Sequence, residues 1–320
     1  MTKRLKLKKQ VWIFLVITIF VSIGIYSGKN IYQKYQYEKT YEYKLINHGY
    51  TLEETKKIIE EFPTNEELEY FLSIEKDSTI LDLLEEKYFL KKNFQSYLTY
   101  KNSNQNKSLS EIIRDINIHL DKDFYEITYK TDTNQDYKML VNKYYTLPND
   151  YEPDDLVKVP TKYAWGEAGS RSVRKVAYEA FLDMWESASQ DGYYLMINSA
   201  YRSYQDQETI YNNYKNKRGE KYADSIAARP GSSEHQTGLS IDIFSKTNSN
   251  QKTFHETEEA AWLKENAYKY GFILRYPDNK ESITGYSFEA WHYRYVGIEA
   301  ATYCYQNNIT YEEYYAYFIE

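Results

Sequence analysis

Sixteen consecutive residues without a charge, VWIFLVITIFVSIGIY at 11–26, follow a decapeptide with five basic side chains, Lys3, Arg4, Lys6, Lys8 and Lys9. A run that apolar must be buried against a core or sit in lipid. Its terminal position and basic flank favour lipid, because a charged leader followed by an apolar segment is the pattern of a signal peptide or a membrane anchor. No A-x-A-like cleavage site follows, and no lipid-attachable cysteine is near; SIGIYSGK is a poor substitute for the former. Trp12 and Tyr26 stand at the two ends, where interfacial aromatic residues belong. The reading is an uncleaved anchor, with a cleaved signal as the alternative. The basic flank stays inside, so residues 30–320 are expected outside the cell, secreted if the segment is removed.

The remainder of the chain is acidic. With those five basic residues set aside, 35 Lys and Arg face 47 Asp and Glu. Nucleic acid calls for a basic face and is excluded as a partner on this balance. Hydrophobic residues make up 42% of the 320, yet 38 of them are tyrosines, whose amphipathic rings account for a mean hydropathy of −0.76. Cys304 is the one cysteine, which rules out an intramolecular disulfide framework and a cysteine-rich zinc site.

Three regions follow from the pattern. Residues 1–30 form the basic tail and anchor. Residues 31–105 read as a helical spacer or interaction region. There GYTLEETKKIIEEF and TNEELEYFLSI each begin with a threonine and a glutamate three positions on, at Thr51/Glu54 and Thr64/Glu67, and Ile58, Ile59, Phe62, Leu68, Phe71 and Leu72 make a helical stripe. The sequence does not name a partner for this region. The polar run KNSNQNKSLS at 101–110 reads as a linker.

Residues 106–320 mix helices and strands without a regular βαβ repeat, which predicts an α+β fold with a small, mostly antiparallel sheet and flanking helices. SLSEIIRDINIHL reads as a capped helix and YKMLVNKYYTL as a strand ending at Pro148. A long amphipathic helix is expected over 172–189, a buried strand at YYLMINSAYRS, a helix over about 205–216, a strand at LSIDIF, a helix over 256–270 closed by Gly271, and a last strand at EAWHYRYVG.

The chemistry concentrates around SSEHQTGLSIDIF, 232–244. An aspartate is poor in strands and needs a partner when half-buried. Either the segment is a local turn with a capped strand, or His235 and Asp242 are two ligands of a metal. Alternation turns Leu239, Ile241 and Ile243 to one face and Asp242 to the other. Gly238 lets the loop carrying His235 fold back to the Asp242 side. A hydrolytic zinc takes three protein ligands and leaves a position for water, so a third ligand is needed. FEAWHYRY supplies His292 from a neighbouring strand, with Glu289 three residues upstream. Positions three apart face opposite sides of a regular strand, so Glu289 must sit in the turn before it or at a bulge, within reach of the water as general base. Zn²⁺ with one aspartate and two neutral histidines keeps a net positive charge.

S-x-H-x-x-G-x-x-x-D followed about fifty residues later by E-x-W-H resembles the VanY-type D-alanyl-D-alanine carboxypeptidases, zinc peptidases of the bacterial cell wall. Ser233, His235, Gly238, Asp242, Glu289, Trp291 and His292 carry the likeness. Tyr201, Arg202, Ser203 and Gln207 match the family's Y-R-S-x-x-x-Q segment, and the similarity extends over roughly 108–320. Ser240 before Ile-Asp, where relatives often have a small alanine, is a mild variation. The resemblance implies that His235, Asp242 and His292 bind zinc and that Glu289 is the base. It also implies that Arg202 stabilises the oxyanion or holds the substrate carboxylate, and that Ser233 and Gln207 contact the terminal residue of a peptidoglycan stem peptide. The activity it implies is removal of the C-terminal D-Ala. The alternatives are an LD-carboxypeptidase acting on tetrapeptide stems and a non-catalytic wall-binding protein. Glu234 is a rival base, but His235 must face the metal, so its neighbour is expected to point elsewhere. Arg275 either lines the cleft or forms an ion pair; His48 and His119 read as structural, and His255 as part of a helix start.

Overall fold

The computed structural model describes residues 2–77, 79–165 and 171–319. The chain divides into two compact units, Met1–Phe94 and Gln95–Glu320. That division falls before the polar run that reads as a linker. The run instead spans the end of one helix, Phe94–Ser103, and the N-cap of the next, Leu109–Asn117.

In the first unit the apolar run lies within a single helix, Thr2–Glu38, whose stretch from Val11 is long and apolar enough to cross a membrane. At 1.5 Å per residue it is about 55 Å long. Its apolar side chains are bare among the described residues, Phe14 at 71% exposure and Ile25 at 67%. The side chains of Lys3, Arg4 and Lys6 lie outside the described set. Short helices follow at Tyr41–His48, Leu52–Glu61, Asn65–Ser73 and Ile80–Glu85. Thr51 and Thr64 each accept from the backbone of the glutamate three residues on, while Glu54 and Glu67 bond back, so both capping boxes are present. Leu45, Ile58, Phe62, Leu68, Phe71 and Leu83 are buried, with the Phe62 and Phe71 rings 5.0 Å apart edge to face. His48 Nε2 lies 2.7 Å from the Ile74 carbonyl, a structural contact.

The second unit is α+β. Two short pairs come first, β1 (Tyr129–Lys130) parallel to β2 (Tyr145–Thr146), and β3 (Leu156–Lys158) antiparallel to β4 (Ser172–Arg174). The main sheet is β5 (Leu195–Ser199), β6 (Ser240–Ser245), β7 (Phe272–Leu274) and β8 (His292–Tyr295), all antiparallel in the order β5-β6-β8-β7. The helix Lys175–Gln190 packs Ala177, Phe181 and Met184 against Leu195, Ile197, Ile241 and Ile243 in one core. Each fully buried aliphatic side chain there is worth roughly 1.5–3 kcal/mol. Phe244, on the opposite face of β6, stacks on Trp291 at 6.1 Å, so β6 is covered on both sides.

Several expectations shift. YKMLVNKYYTL is not one strand: only Tyr145–Thr146 pairs, after two tight helical turns over Thr133–Lys138 that are broken by a kink at Asp136. The Asn142 side-chain oxygen accepts from the Tyr144 and Tyr145 amides at 2.9 Å, an Asx turn that breaks the extended run. The helix expected from 172 begins at Lys175, because Ser172–Arg174 is spent pairing with β3. The helix expected over 256–270 is regular over Glu258–Asn266 and tightens over Ala267–Tyr270 before Gly271, which caps it at φ 81°. Helices at Glu220–Ile226, Ile298–Asn307 and Tyr311–Phe318, and strand β7, add to the elements expected from sequence.

Candidate active site

β6 and β8 bring the key pair together. Asp242 and His292 are directly opposite in the ladder, and His292 Nδ1 lies 3.1 Å from Asp242 Oδ1. On the other side of β6, Asp242 faces Ser199, next to a bulge in β5. His235 arrives from the loop. Residues Glu234–Thr237 make one tight helical turn, and Gly238 ends it with φ 66°. A side chain at 238 would be strained by that φ and would press within 2.9 Å of Arg174 Cγ and Leu156 Cδ2. His235 Nε2 ends 3.5 Å from Asp242 Oδ1, and the two imidazoles stand edge to face at 4.9 Å.

Glu289 occupies the turn before β8. The His292 amide donates to the Glu289 carbonyl across that turn, and the Glu289 amide donates to Tyr276 O. Its carboxylate is 3.9 Å from His292 Nδ1. The geometric objection to an i, i+3 pair on one strand is thus met by the turn. Arg202 follows β5 and bonds Ser199 Oγ through NH2, while NH1 donates to Gln207 Oε1 at 2.6 Å. Gln207 donates its amide to the Ala228 carbonyl at 2.7 Å, so both ends of its side chain are occupied within the protein. Ser233 Oγ has no hydrogen-bond partner among the described residues. All seven predicted site residues line one pocket, together with Tyr276, Tyr286, Trp291 and others.

The cluster suits a cation. His235 donates Nδ1–H to the Ala200 carbonyl at 2.7 Å, which leaves the Nε2 lone pair facing a carboxylate oxygen. Burial and the Arg202 charge lower the pKa of His235. Burial would raise Asp242, but the two histidines outweigh it and hold the carboxyl well below its usual range. Two electron-rich atoms 3.5 Å apart need positive charge between them. Burial opposes protonation of His292, yet Asp242 and Glu234 push it up to about 9. The donor atoms of His235, Asp242 and His292 all lie within 4.8 Å of one another. Zinc bonds near 2.0–2.1 Å in a tetrahedral set separate ligand atoms by about 3.3 Å, close to the 3.1 and 3.5 Å found here. Burial raises Glu289 to about 7, a value suited to accepting a proton near neutral pH.

Sequence reasoning missed the other edge of His292. Glu234 does point away from the cluster, but toward His292 Nε2, at 3.5 Å. Arg275 does not line the site pocket: it is fully buried between Glu234 and Glu312. Nothing in the sequence pattern signals Glu312, a residue of the C-terminal helix. His119 bonds Tyr145 OH at 3.1 Å, and His255 is half-exposed in the turn before Glu258–Asn266; neither joins the site.

The model of the D-alanyl-D-alanine carboxypeptidase family VanY matches residues 170–298. YodJ of Bacillus subtilis (strain 168), by name a carboxypeptidase, is 46% identical over 179 residues, 55% of this chain and 66% of that one. The bifunctional D-Ala-D-Ala dipeptidase and D-Ala-D-Ala carboxypeptidase VanXYC of Enterococcus gallinarum is 32% identical over 186 residues, 56% of this chain and 93% of that one. The chain belongs to the VanY D-alanyl-D-alanine carboxypeptidase family. Among solved structures, that of the LdcB LD-carboxypeptidase is similar with a TM-score of 0.56 and 43% identity, covering 59% of this chain and 90% of that one. The VanY match contains His235, Asp242, Glu289 and His292, and the first unit lies outside it. The chain spans 66% of YodJ and 51% of a second relative, the D-alanyl-D-alanine carboxypeptidase of Enterococcus faecalis (strain ATCC 700802 / V583).

Proposed function

We propose that this protein is a zinc-dependent carboxypeptidase that removes the C-terminal D-Ala from peptidoglycan stem peptides. In this reading its apolar helix holds it at the membrane with the second unit on the outer side. The observation that carries the proposal is a carboxylate, Glu289, poised beside a buried His–Asp–His cluster in a pocket open to solvent. His235, Asp242 and His292 would hold the metal. When bound, it supplies Lewis-acid activation of a water and of the scissile carbonyl.

The chain's own groups then have separate tasks. Glu289 takes the proton from the attacking water and returns it to the leaving amine, which its value near 7 permits. Arg202, fixed by Ser199 and Gln207, presents a rigid donor fork to the developing oxyanion or to the substrate's terminal carboxylate. Gln207 acts through Arg202 on this geometry. Ser233, whose hydroxyl has no hydrogen-bond partner among the described residues, is the nearer candidate for direct contact with the terminal residue.

A second reading, an LD-carboxypeptidase that trims tetrapeptide stems, is favoured by the likeness to LdcB. A non-catalytic wall-binding protein is disfavoured by Glu289, since a structural metal site needs no base. The test is hydrolysis of pentapeptide and tetrapeptide stems by protein depleted of metal and then reloaded with zinc. Zinc-dependent release of D-Ala from the pentapeptide is expected. Release from the tetrapeptide alone would select the LD reading, and no release from either with zinc bound would select the non-catalytic one.

A further inference from the structure

The mechanism above leaves unused a buried set of charges behind His292. Glu234, Arg275, Arg294 and Glu312 are each at most 3% exposed. Two carboxylates and two guanidiniums balance, yet so complete a burial of four charges is costly unless each one is bonded. Each one is. Glu234 Oε1 accepts from Arg275 Nε at 2.8 Å and from Arg294 NH1 at 3.1 Å. The other face of Arg275 is gripped by both oxygens of Glu312, from the helix Tyr311–Phe318. Arg294 spends its remaining donors on the Met139, Tyr137 and Tyr295 carbonyls.

This leaves one carboxylate oxygen with a different task. Glu234 Oε2 accepts from Ser240 Oγ at 3.2 Å and faces His292 Nε2 at 3.5 Å. That nitrogen is buried and makes no hydrogen bond to any described atom. The opposite nitrogen, Nδ1, is the one directed at Asp242. A histidine that offers Nδ1 to a metal must carry its proton on Nε2, and a carboxylate beside that proton fixes both tautomer and ring. Tyr276, stacked on the imidazole at 4.9 Å, limits its tilt.

We propose that Glu234 is a positioning residue of the metal centre, and that Glu312 of the C-terminal helix sets it through Arg275. The ladder Glu312–Arg275–Glu234–His292 makes the last described helix part of the site, although that helix does not line the site pocket. Glu234 cannot serve as the base in this arrangement, because both of its oxygens are engaged on the side of His292 away from Asp242. The proposal rests on the zinc reading given above.

The experiment is a competition titration of zinc between a chromophoric chelator and the full chain in detergent, for the parent, Glu234→Gln and Glu312→Gln. A parent that binds no zinc refutes the metal site itself and overturns this proposal with it, before any variant is made. With a zinc-binding parent, Glu234→Gln is expected to weaken zinc binding about 10–100-fold, the range for partners of ligating histidines. Glu312→Gln should weaken it in the same direction by a smaller factor. Folded variants that hold zinc within twofold of the parent would overturn the proposal. Both substitutions disturb buried charges, so the parent gives an independent reading that requires no variant. With ring-¹⁵N histidine, the zinc-loaded parent should show a His292 proton on Nε2 that exchanges slowly with water. A proton on Nδ1, or fast exchange at Nε2, would also overturn it.

Discussion

Asp242 and His292 face each other across two antiparallel strands, with Nδ1 of the histidine 3.1 Å from Oδ1 of the aspartate. Fifty residues of chain separate them, and one ladder position brings them into contact. In the zinc reading, the arrangement makes the Asp242–His292 part of the proposed ligand set a property of the strand register. His235→Ala, Asp242→Ala and His292→Ala are each expected to lose bound zinc. Metal analysis of the purified variants checks this; full occupancy in one of them would remove that residue from the set.

Glu289→Gln should separate binding from chemistry. The amide keeps the shape of the side chain and cannot accept the proton. General-base assistance is typically worth about 10²–10⁴-fold, so kcat should fall by at least that factor. Zinc content should stay near that of the parent, because the ligand cluster does not include Glu289. Loss of metal together with activity would make Glu289 a fourth ligand instead.

Arg202→Ala should lower kcat/KM by about 10²–10³-fold if the guanidinium meets the oxyanion. The split between the constants identifies the role. A fall confined to kcat points to the oxyanion, and a rise confined to KM points to the substrate carboxylate. Gln207→Ala should move the same constant by less, since its bond to Arg202 holds the guanidinium.

Deletion of residues 1–30 should give a protein that stays in solution without detergent and keeps its turnover. The motive is the bare apolar surface of the helix Thr2–Glu38. Persistent aggregation of a correctly folded 31–320 would count against an anchor that touches only lipid.

Cys304 should be inert in the folded protein. Burial pushes its thiol up to about 12, so at pH 8 there is almost no thiolate to attack a disulfide reagent. Labelling should be slow in the native state and complete after unfolding. The folded state holds the proton more tightly, so the unfolded chain loses it first as pH rises past the ordinary thiol range. Stability attributable to Cys304 is therefore full below about pH 8.5 and declines as pH rises toward 12. Comparing the pH dependence of unfolding in the parent and Cys304→Ala measures that decline, and identical slopes would refute it.

The sequence alone determined the features that depend on local pattern or on chemical type. The apolar helix, the capping boxes at Thr51 and Thr64, the α+β class and the cluster of His235, Asp242, Glu289 and His292 were legible because each rests on spacing within one segment or on scarce residues in a distinctive motif. Alternation in LSIDIF already set Asp242 apart from its apolar neighbours. What remained hidden depended on contacts between distant segments. The Asx turn at Asn142 overrode an apparently continuous strand, and the pairing of Ser172–Arg174 with β3 took residues from a predicted helix. Only the fold could decide that Glu234 lies against His292 Nε2, and that Arg275 is clamped by Glu312 rather than facing the cleft. The local sequence around Glu234, Arg275 and Glu312 gives no sign of these partners, because a buried charge is bonded by whatever the tertiary packing brings to it.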